Sequence, residues 1–318
     1  MKKVITILAV SLTATNVSLA QQDPQFSQNM FNRVGTNAGA AGLNNSTCFT
    51  LLGRQQWTGF SGAPKTVLVS ADSPILQSSP LHGGAGITIV ADKQGFENTI
   101  SAKLAYSYHL PIEKGKLGIG IELGALNYGL NGTWLAPDGT TGSTDPSIPQ
   151  TKLTKTVLDA GLGLYYTSEK LYAGLSVAHI PASKIKSAVA GSNVTYDIAR
   201  HYYITAGYNW ALTPTVTLRP NIFVKTDAAS TQIDCNVNAL FNNTFWIGAS
   251  YRTTDAIIAM LGVQMKGLKV GYSYDYTTSN LNKGKGGASA GSHEIFLGYC
   301  LKQPDKTSVQ RSRSVRFL

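Results

Sequence analysis

A histidine beside a carboxylate is the simplest start for acid–base chemistry, and His293-Glu294 in GSHEIFLGYC offers one. The stretch alternates like a strand, so the two side chains point to opposite faces and cannot act as a dyad. Gly83-Gly84-Ala85-Gly86 is glycine-rich, but no Lys-Ser/Thr follows to make a phosphate loop. Asp138 and Asp145 lack the ordered spacing of a calcium loop. Ser61 has no G-x-S-x-G context. The 5 histidines are scattered, with no HxxxH pair, and the 3 cysteines form no CxxC. No catalytic, cofactor-binding or metal-ligating set is therefore expected. At most one bridge is available to Cys48, Cys235 and Cys300, and isolated strand positions are the expected reading for all three.

One stretch remains: RQQWTGFSGAPKT, from Arg54 to Thr66. It admits two readings. As a structural corner, Arg54, Gln56 and Trp57 end one strand, Gly59, Gly62 and Pro64 turn the chain, and Thr66 begins the return strand. As a contact surface, Arg54, Gln56 and Trp57 meet a partner directly.

The elements around this stretch are strands. LGIGIELGA places Leu117, Ile119, Ile121, Leu123 and Ala125 on one face, with Gly118, Gly120, Glu122 and Gly124 on the other. LDAGLGLYY from Leu158, LYAGLSV from Leu171 and LKVGYSYDY from Leu268 repeat the scheme. A period of two with one apolar face is a half-buried strand. A soluble sandwich turns its apolar face inward. A membrane barrel turns it to lipid and lines its lumen with small or polar residues. The Gly, Ser, Asp, Glu and Lys of the second face favour a transmembrane antiparallel β-barrel, with the sandwich as the alternative. Tyr106, Tyr108, Tyr128, Tyr165, Tyr166, Tyr202, Tyr203, Tyr276 and Tyr299 sit near strand ends, as an interfacial girdle would place them. Counting candidate strands from 47 to 300 gives about fourteen, an even number as closure requires. Turns at Glu113–Lys116, Ser168–Lys170 and Leu212–Pro214 are tight, whereas 131–151, 181–199 and 279–290 are long.

Residues 1–20 read as a signal peptide, with Lys2 and Lys3 before an apolar run and Ser18-Leu19-Ala20 before the cut. No later run is long and apolar enough for a spanning helix. Export and a barrel together place the chain in a Gram-negative outer membrane. Residues 21–46 do not alternate and form either a leader or a lumenal plug. Phe26, Met30 and Phe31, at helical spacing, favour the plug. The barrel occupies 47–300. The tail, 301–318, carries Lys302, Lys306, Arg311, Arg313 and Arg316 against Asp305 and ends in Phe317-Leu318. An even-stranded barrel leaves both ends in the periplasm. There the tail is either a solvated basic extension or a dock, its arginines on acidic groups and Phe317 and Leu318 in a pocket. A net charge of +10 on an exported chain points to anionic lipid, wall polymer or an acidic partner rather than nucleic acid.

Taken in order, QQDPQFSQNMFN, RQQWTGFSGAPKT, DPSIPQ, HYYITAGYNW, YRTTDA, GYSYDY and GSHEIFLGYC resemble the PorP/SprF family of outer-membrane proteins of the type IX secretion system of Bacteroidota. The likeness spans essentially all of the chain after the signal. It departs at Thr36–Gly42, where the family's N-P-A-x-A-G run has a proline and this sequence has Asn37-Ala38. The resemblance implies a FadL-like barrel, no enzymatic activity and no cofactor. It implies a role in protein secretion and, in some members, in gliding motility. The implied partners are outer-membrane lipid, a secreted surface protein with a type IX C-terminal sorting domain, and periplasmic ring or peptidoglycan-binding components. Three functions stay open: an anchor or receiver of a secreted surface protein such as a gliding adhesin, a structural link from the outer membrane to the periplasmic ring and wall, and a FadL-like transporter of a hydrophobic solute.

Overall fold

The structure, a computed structural model, describes residues 23–75, 82–131, 152–186, 195–279 and 289–302. The expected signal segment 1–20 and the tail residues Arg311, Arg313, Arg316, Phe317 and Leu318 lie outside the described residues, as does most of the 131–151 connection. The alternating segments form β1 (Ser46–Gln55), β2 (Lys65–Ile75), β3 (Gly83–Gln94), β4 (Glu97–Ile112), β5 (Gly115–Leu130), β6 (Leu153–Ser168) and β7 (Leu171–Ala178). A two-stranded hairpin, β8 (Lys184–Lys186) and β9 (Thr195–Asp197), follows. Then come β10 (His201–Tyr208), continued by β11 (Trp210–Ala211), β12 (Val216–Thr226), β13 (Thr231–Phe241), β14 (Phe245–Arg252), β15 (Ala256–Met265), β16 (Leu268–Thr277) and β17 (Ser292–Lys302). With β10 and β11 counted as one stave and the hairpin set aside, this is a closed 14-strand antiparallel barrel. Each strand pairs with its sequence neighbours, β10 pairs with β12, and β1 with β17. Closure leaves no row of backbone groups unpaired in lipid.

The β1–β17 register runs from Ser46↔Lys302 to Gln55↔His293 and sets Cys48 opposite Cys300. These two form a disulfide, and Cys235 is the free cysteine. The expectation of three isolated thiols is corrected for this pair. The positions are 252 residues apart, and only closure of the first strand on the last brings them together. A bridge across so long a loop typically adds about 2–4 kcal/mol by restricting the unfolded chain. Alkylation of the denatured, unreduced chain should therefore modify Cys235 alone, and all three cysteines after reduction. Three reactive thiols without reductant would contradict the pairing.

The faces follow the sequence pattern. Ile119, Ile121 and Leu123 of β5 are exposed outward, as are Leu158, Leu162 and Leu164 of β6, while Glu122 and Asp159 are buried inside. Six of the nine girdle tyrosines face out, but Tyr128, Tyr165 and Tyr203 are buried in the lumen. Their strand positions have the inward parity, and each finds a partner there. Tyr128 meets Tyr196 of the β8–β9 hairpin, Tyr165 stacks on Tyr172, and Tyr203 donates to the Asp23 carboxylate.

Connection length sorts the two ends. The three tight turns recognised in the sequence fall at the end where β1 begins and β17 finishes, and the three long connections fall at the other. Short turns, together with the start of the first strand and the end of the last, mark the periplasmic end of an outer-membrane barrel. The Arg54–Thr66 stretch and the 179–200 connection, which carries the β8–β9 hairpin, therefore lie at the outer end. The described chain itself starts at Asp23 near that outer end, which corrects the expectation that both chain ends lie in the periplasm.

An outer vestibule above a locked lumen

Residues 23–43 lie inside the barrel. The aromatic spacing seen in the sequence makes two kinds of contact rather than one helix. Short turns at Asn29–Phe31, Arg33–Thr36 and Ala38–Ala40 replace a continuous helix. Phe26 packs with Leu52, Leu68 and Phe296, Phe31 stacks on Phe296 at 4.8 Å, and Met30 rests on Ala256, Ile258 and Met260.

Polar contacts fix this segment more tightly than the apolar ones. Ser27 is fully buried between two arginines and two carboxylates from four strands. Its hydroxyl donates to Asp275 at 2.8 Å and accepts from Arg54 Nη1 at 2.8 Å and Arg252 Nη2 at 3.1 Å. The Ser27 and Gln28 amides both donate to the Glu294 carboxylate, at 2.7 and 2.8 Å. Around them Arg54 pairs with Asp275 (2.8 Å) and Glu294 (3.3 Å), and Arg252 pairs with Asp275 (2.7 Å) and Asp234 (3.2 Å). Buried charges persist only when paired and hydrogen-bonded. Here the segment's own backbone and hydroxyl complete the cage.

Lower in the lumen the glycine faces receive backbone. Asn37 caps the Ala38–Ala40 turn by accepting from the Gly39 amide, and its side-chain amide donates to Leu164 O (3.0 Å) and Leu175 O (3.2 Å). Ser107 and Ser176 donate to Gly39 O and Thr36 O at 2.8 and 2.6 Å. A Cβ on Gly120 would stand 2.3 Å from the Ala38 carbonyl carbon, and one on Gly163 would stand 2.1 Å from Asn37 Oδ1. Ala38 occupies the position where the resemblance expects proline. The turn is made by the Gly39, Ala40 and Ala41 amides, so that position is the first of the turn, where proline is readily accepted.

At the outer end of the segment Asp23 meets three elements. His179 Nε2 lies 2.9 Å from Asp23 Oδ1, His201 Nε2 accepts from the Asp23 amide at 3.2 Å, and Lys225 donates to the Asp23 carbonyl at 2.8 Å. Burial alone would raise the Asp23 carboxyl, but His179 and His201 outweigh it and hold it well below the usual carboxylate range. Burial would lower the His179 imidazole, yet Asp23 and Asp159 carry it up to about 10. Above Asp23, Pro24 and Gln25 opens a vestibule of about 1040 Å³, whose wall includes Gln56, Trp57, Glu97, Tyr196 and Asp255.

The family model for the type IX secretion system membrane protein PorP/SprF matches residues 18–299. The chain belongs to the PorP/SprF family. No curated protein matches it. Among solved structures it is similar to the Acinetobacter baumannii outer membrane protein Omp33, at 8% identity over 82% of this chain and 100% of that one, with a TM-score of 0.43. It is also similar to a Pseudomonas aeruginosa FadL homologue, at 10% identity over 81% and 89% of the two chains, with a TM-score of 0.44. Both likenesses concern barrel shape alone.

In this PorP/SprF chain the two leading sequence signatures prove to be halves of one device. Arg54, grouped in the sequence with a partner-contact surface, is 4% exposed and bound to Asp275, Glu294 and Ser27 inside the barrel. That is a correction: its parity on β1 turns it inward, where it serves the N-terminal segment. Gln56 and Trp57 are half-buried on the vestibule wall, and the Trp57 amide donates to Ser292 Oγ at 3.0 Å. Gly59 and Gly62 take φ values of +103° and +77°, and Gln56 N bonds Pro64 O at 2.9 Å across the corner. Glu294 points in and His293 points out to Tyr272, so no dyad forms. Sequence reasoning did not single out Ser27, Asp234, Arg252 or Asp275, although QQDPQFSQNMFN, YRTTDA and GYSYDY, which carry the family resemblance, contain the first, third and fourth of them. It also set the histidines apart, although His179 and His201 lie with their rings 5.8 Å from each other.

Proposed function

We propose that this outer-membrane PorP/SprF protein receives or anchors a secreted surface protein at its outer vestibule, the secreted chain being recognised through its C-terminal sorting domain. The observation that carries this reading is the filled lumen. Residues 23–43 occupy the bore and are tied to β1, β13, β14, β16 and β17 by buried charge. A barrel whose interior is committed to its own chain is suited to holding a partner, less so to passing a hydrophobic solute. Gln56 and Trp57 would contribute to the holding surface from the corner. On the opposite side, β17 ends at Lys302 beside the short turns, which suits a basic tail reaching periplasmic ring or peptidoglycan-binding partners.

The test is a mild-detergent pull-down of the tagged protein from its native outer membrane, read by mass spectrometry. A large secreted protein is the expected main partner. Gln56→Ala with Trp57→Ala should lose it while the barrel still migrates as a folded species. Deleting 311–318 should remove periplasmic partners and keep the secreted one. Recovery of periplasmic partners alone would replace this reading with the structural link, and recovery of a bound lipid with no protein would replace it with the transporter.

A further inference from the structure

Two of the lumenal histidines, His179 and His201, are arranged as metal ligands usually are. A ligating imidazole has its second nitrogen held by a carboxylate or a backbone carbonyl, which fixes the ring and frees the other nitrogen. His179 Nδ1 lies 2.9 Å from Asp159 Oδ2, and His201 Nδ1 lies 3.1 Å from Ala199 O. Both Nε2 atoms then converge on Asp23, His179 at 2.9 Å from Oδ1 and His201 at 3.2 Å from the amide nitrogen. One donor atom from each of Asp23, His179 and His201 falls within 4.8 Å of the others. An ion at this point would replace the hydrogen bonds of His201 Nε2 to the Asp23 amide and of His179 Nε2 to the Asp23 carboxylate, with bonds of about 2.0–2.2 Å for zinc and release of the His179 proton. Lys225 is engaged by the Asp23 carbonyl and not by its carboxylate, so the carboxylate stays available on that side. Tyr203, which donates to the carboxylate, supplies a further oxygen at the edge of the set.

We propose that Asp23, His179 and His201 form a binding site for a divalent transition-metal ion of the zinc type. Two imidazoles and one carboxylate suit such an ion and do not suit calcium or magnesium, which take oxygen shells. The three ligands come from different places. Asp23 belongs to the lumenal segment, and His179 and His201 flank the 179–200 connection. A bound ion ties the outer end of the segment to the outer rim of the barrel, complementing the arginine cage around Ser27. The inference does not depend on which protein the vestibule receives.

The experiment uses the full chain purified in detergent without a histidine tag and treated with chelator. Cobalt(II) is titrated in as a visible probe and then displaced by zinc. The expected result is saturable binding of a single ion with a low-symmetry cobalt spectrum, lost in Asp23→Asn and in His201→Asn. His293→Gln, on the outer face, should bind as the parent does. Asp159→Asn, which loosens the His179 ring, should bind about 10–100-fold more weakly. Heat-modifiable migration checks that each variant is folded. X-ray absorption of the cobalt-loaded parent should show two imidazoles with oxygen donors, and it decides the matter even where a variant does not fold. No binding by the folded parent, binding that survives in both ligand variants, or a shell without imidazole overturns the proposal.

Discussion

Arg252→Ala is expected to release the N-terminal segment from the barrel and to lower the temperature at which the folded species is lost. Arg252 is completely buried and bridges Asp234, Asp275 and the Ser27 hydroxyl. Its removal leaves Asp234 without its ion pair and leaves Asp275 with Arg54 as its remaining ion pair. Taking one partner from a buried ion pair typically costs about 3–5 kcal/mol, because the desolvated charge stays behind. The segment contributes three groups to the same cage, so the cost falls on its seating as much as on the barrel. Two readouts separate these effects. Limited proteolysis should begin to cut within residues 23–43, and heat-modifiable migration should shift to lower temperature. An unchanged cleavage pattern would mean that the cage does not hold the segment.

Gly120→Leu should unseat the segment by a different route. The inward face of β5 meets the Ala38–Ala40 turn backbone to backbone, and the approach at Gly120 leaves no room even for a Cβ. Extra methylenes in a packed interior commonly cost about 1–3 kcal/mol. The clashing atoms are all backbone rather than the far ends of flexible side chains, so the turn is expected to leave its bed. The variant should keep the heat-modifiable barrel, expose 23–43 to protease and conduct ions in planar bilayers more than the parent. Gly53→Ala is the matched control, because nothing lies within 4 Å of a Cβ at that position. If the two variants behave alike, the glycine-rich inner face is not a bed for the segment.

The barrel was legible because its signal is local. LGIGIELGA and LKVGYSYDY each declare their faces within one strand, and the structure keeps the parity of both. The small residues on the inner faces were legible too, but their reason was not. They suggested a narrow lumen lined by polar side chains, whereas Gly120 and Gly163 are spaces left for Ala38 and Asn37. The lock could not be read at all. Ser27 lies 248 residues from Asp275 and 267 from Glu294, and no spacing rule links positions brought together only when β1 closes on β17. The same holds for Cys48 and Cys300, and for Asp23 with its two histidines. Arg54 shows the opposite error. Its neighbours Gln56 and Trp57 suggested a surface, and only its inward parity on β1 shows that it belongs to the interior.

The most direct test of a lumen filled by its own N-terminal segment is a designed crosslink between Ala41 and Gly86. A Cβ on Gly86 of β3 would stand 3.5 Å from the Ala41 Cβ, within the range a disulfide spans. Ala41→Cys with Gly86→Cys, in a Cys235→Ser background, is oxidised in folded protein from native membranes, and the linked peptides are mapped. The account predicts a high-yield link joining the N-terminal segment to the β3 fragment within one chain. A barrel that is folded by heat-modifiable migration yet forms no such link would contradict it.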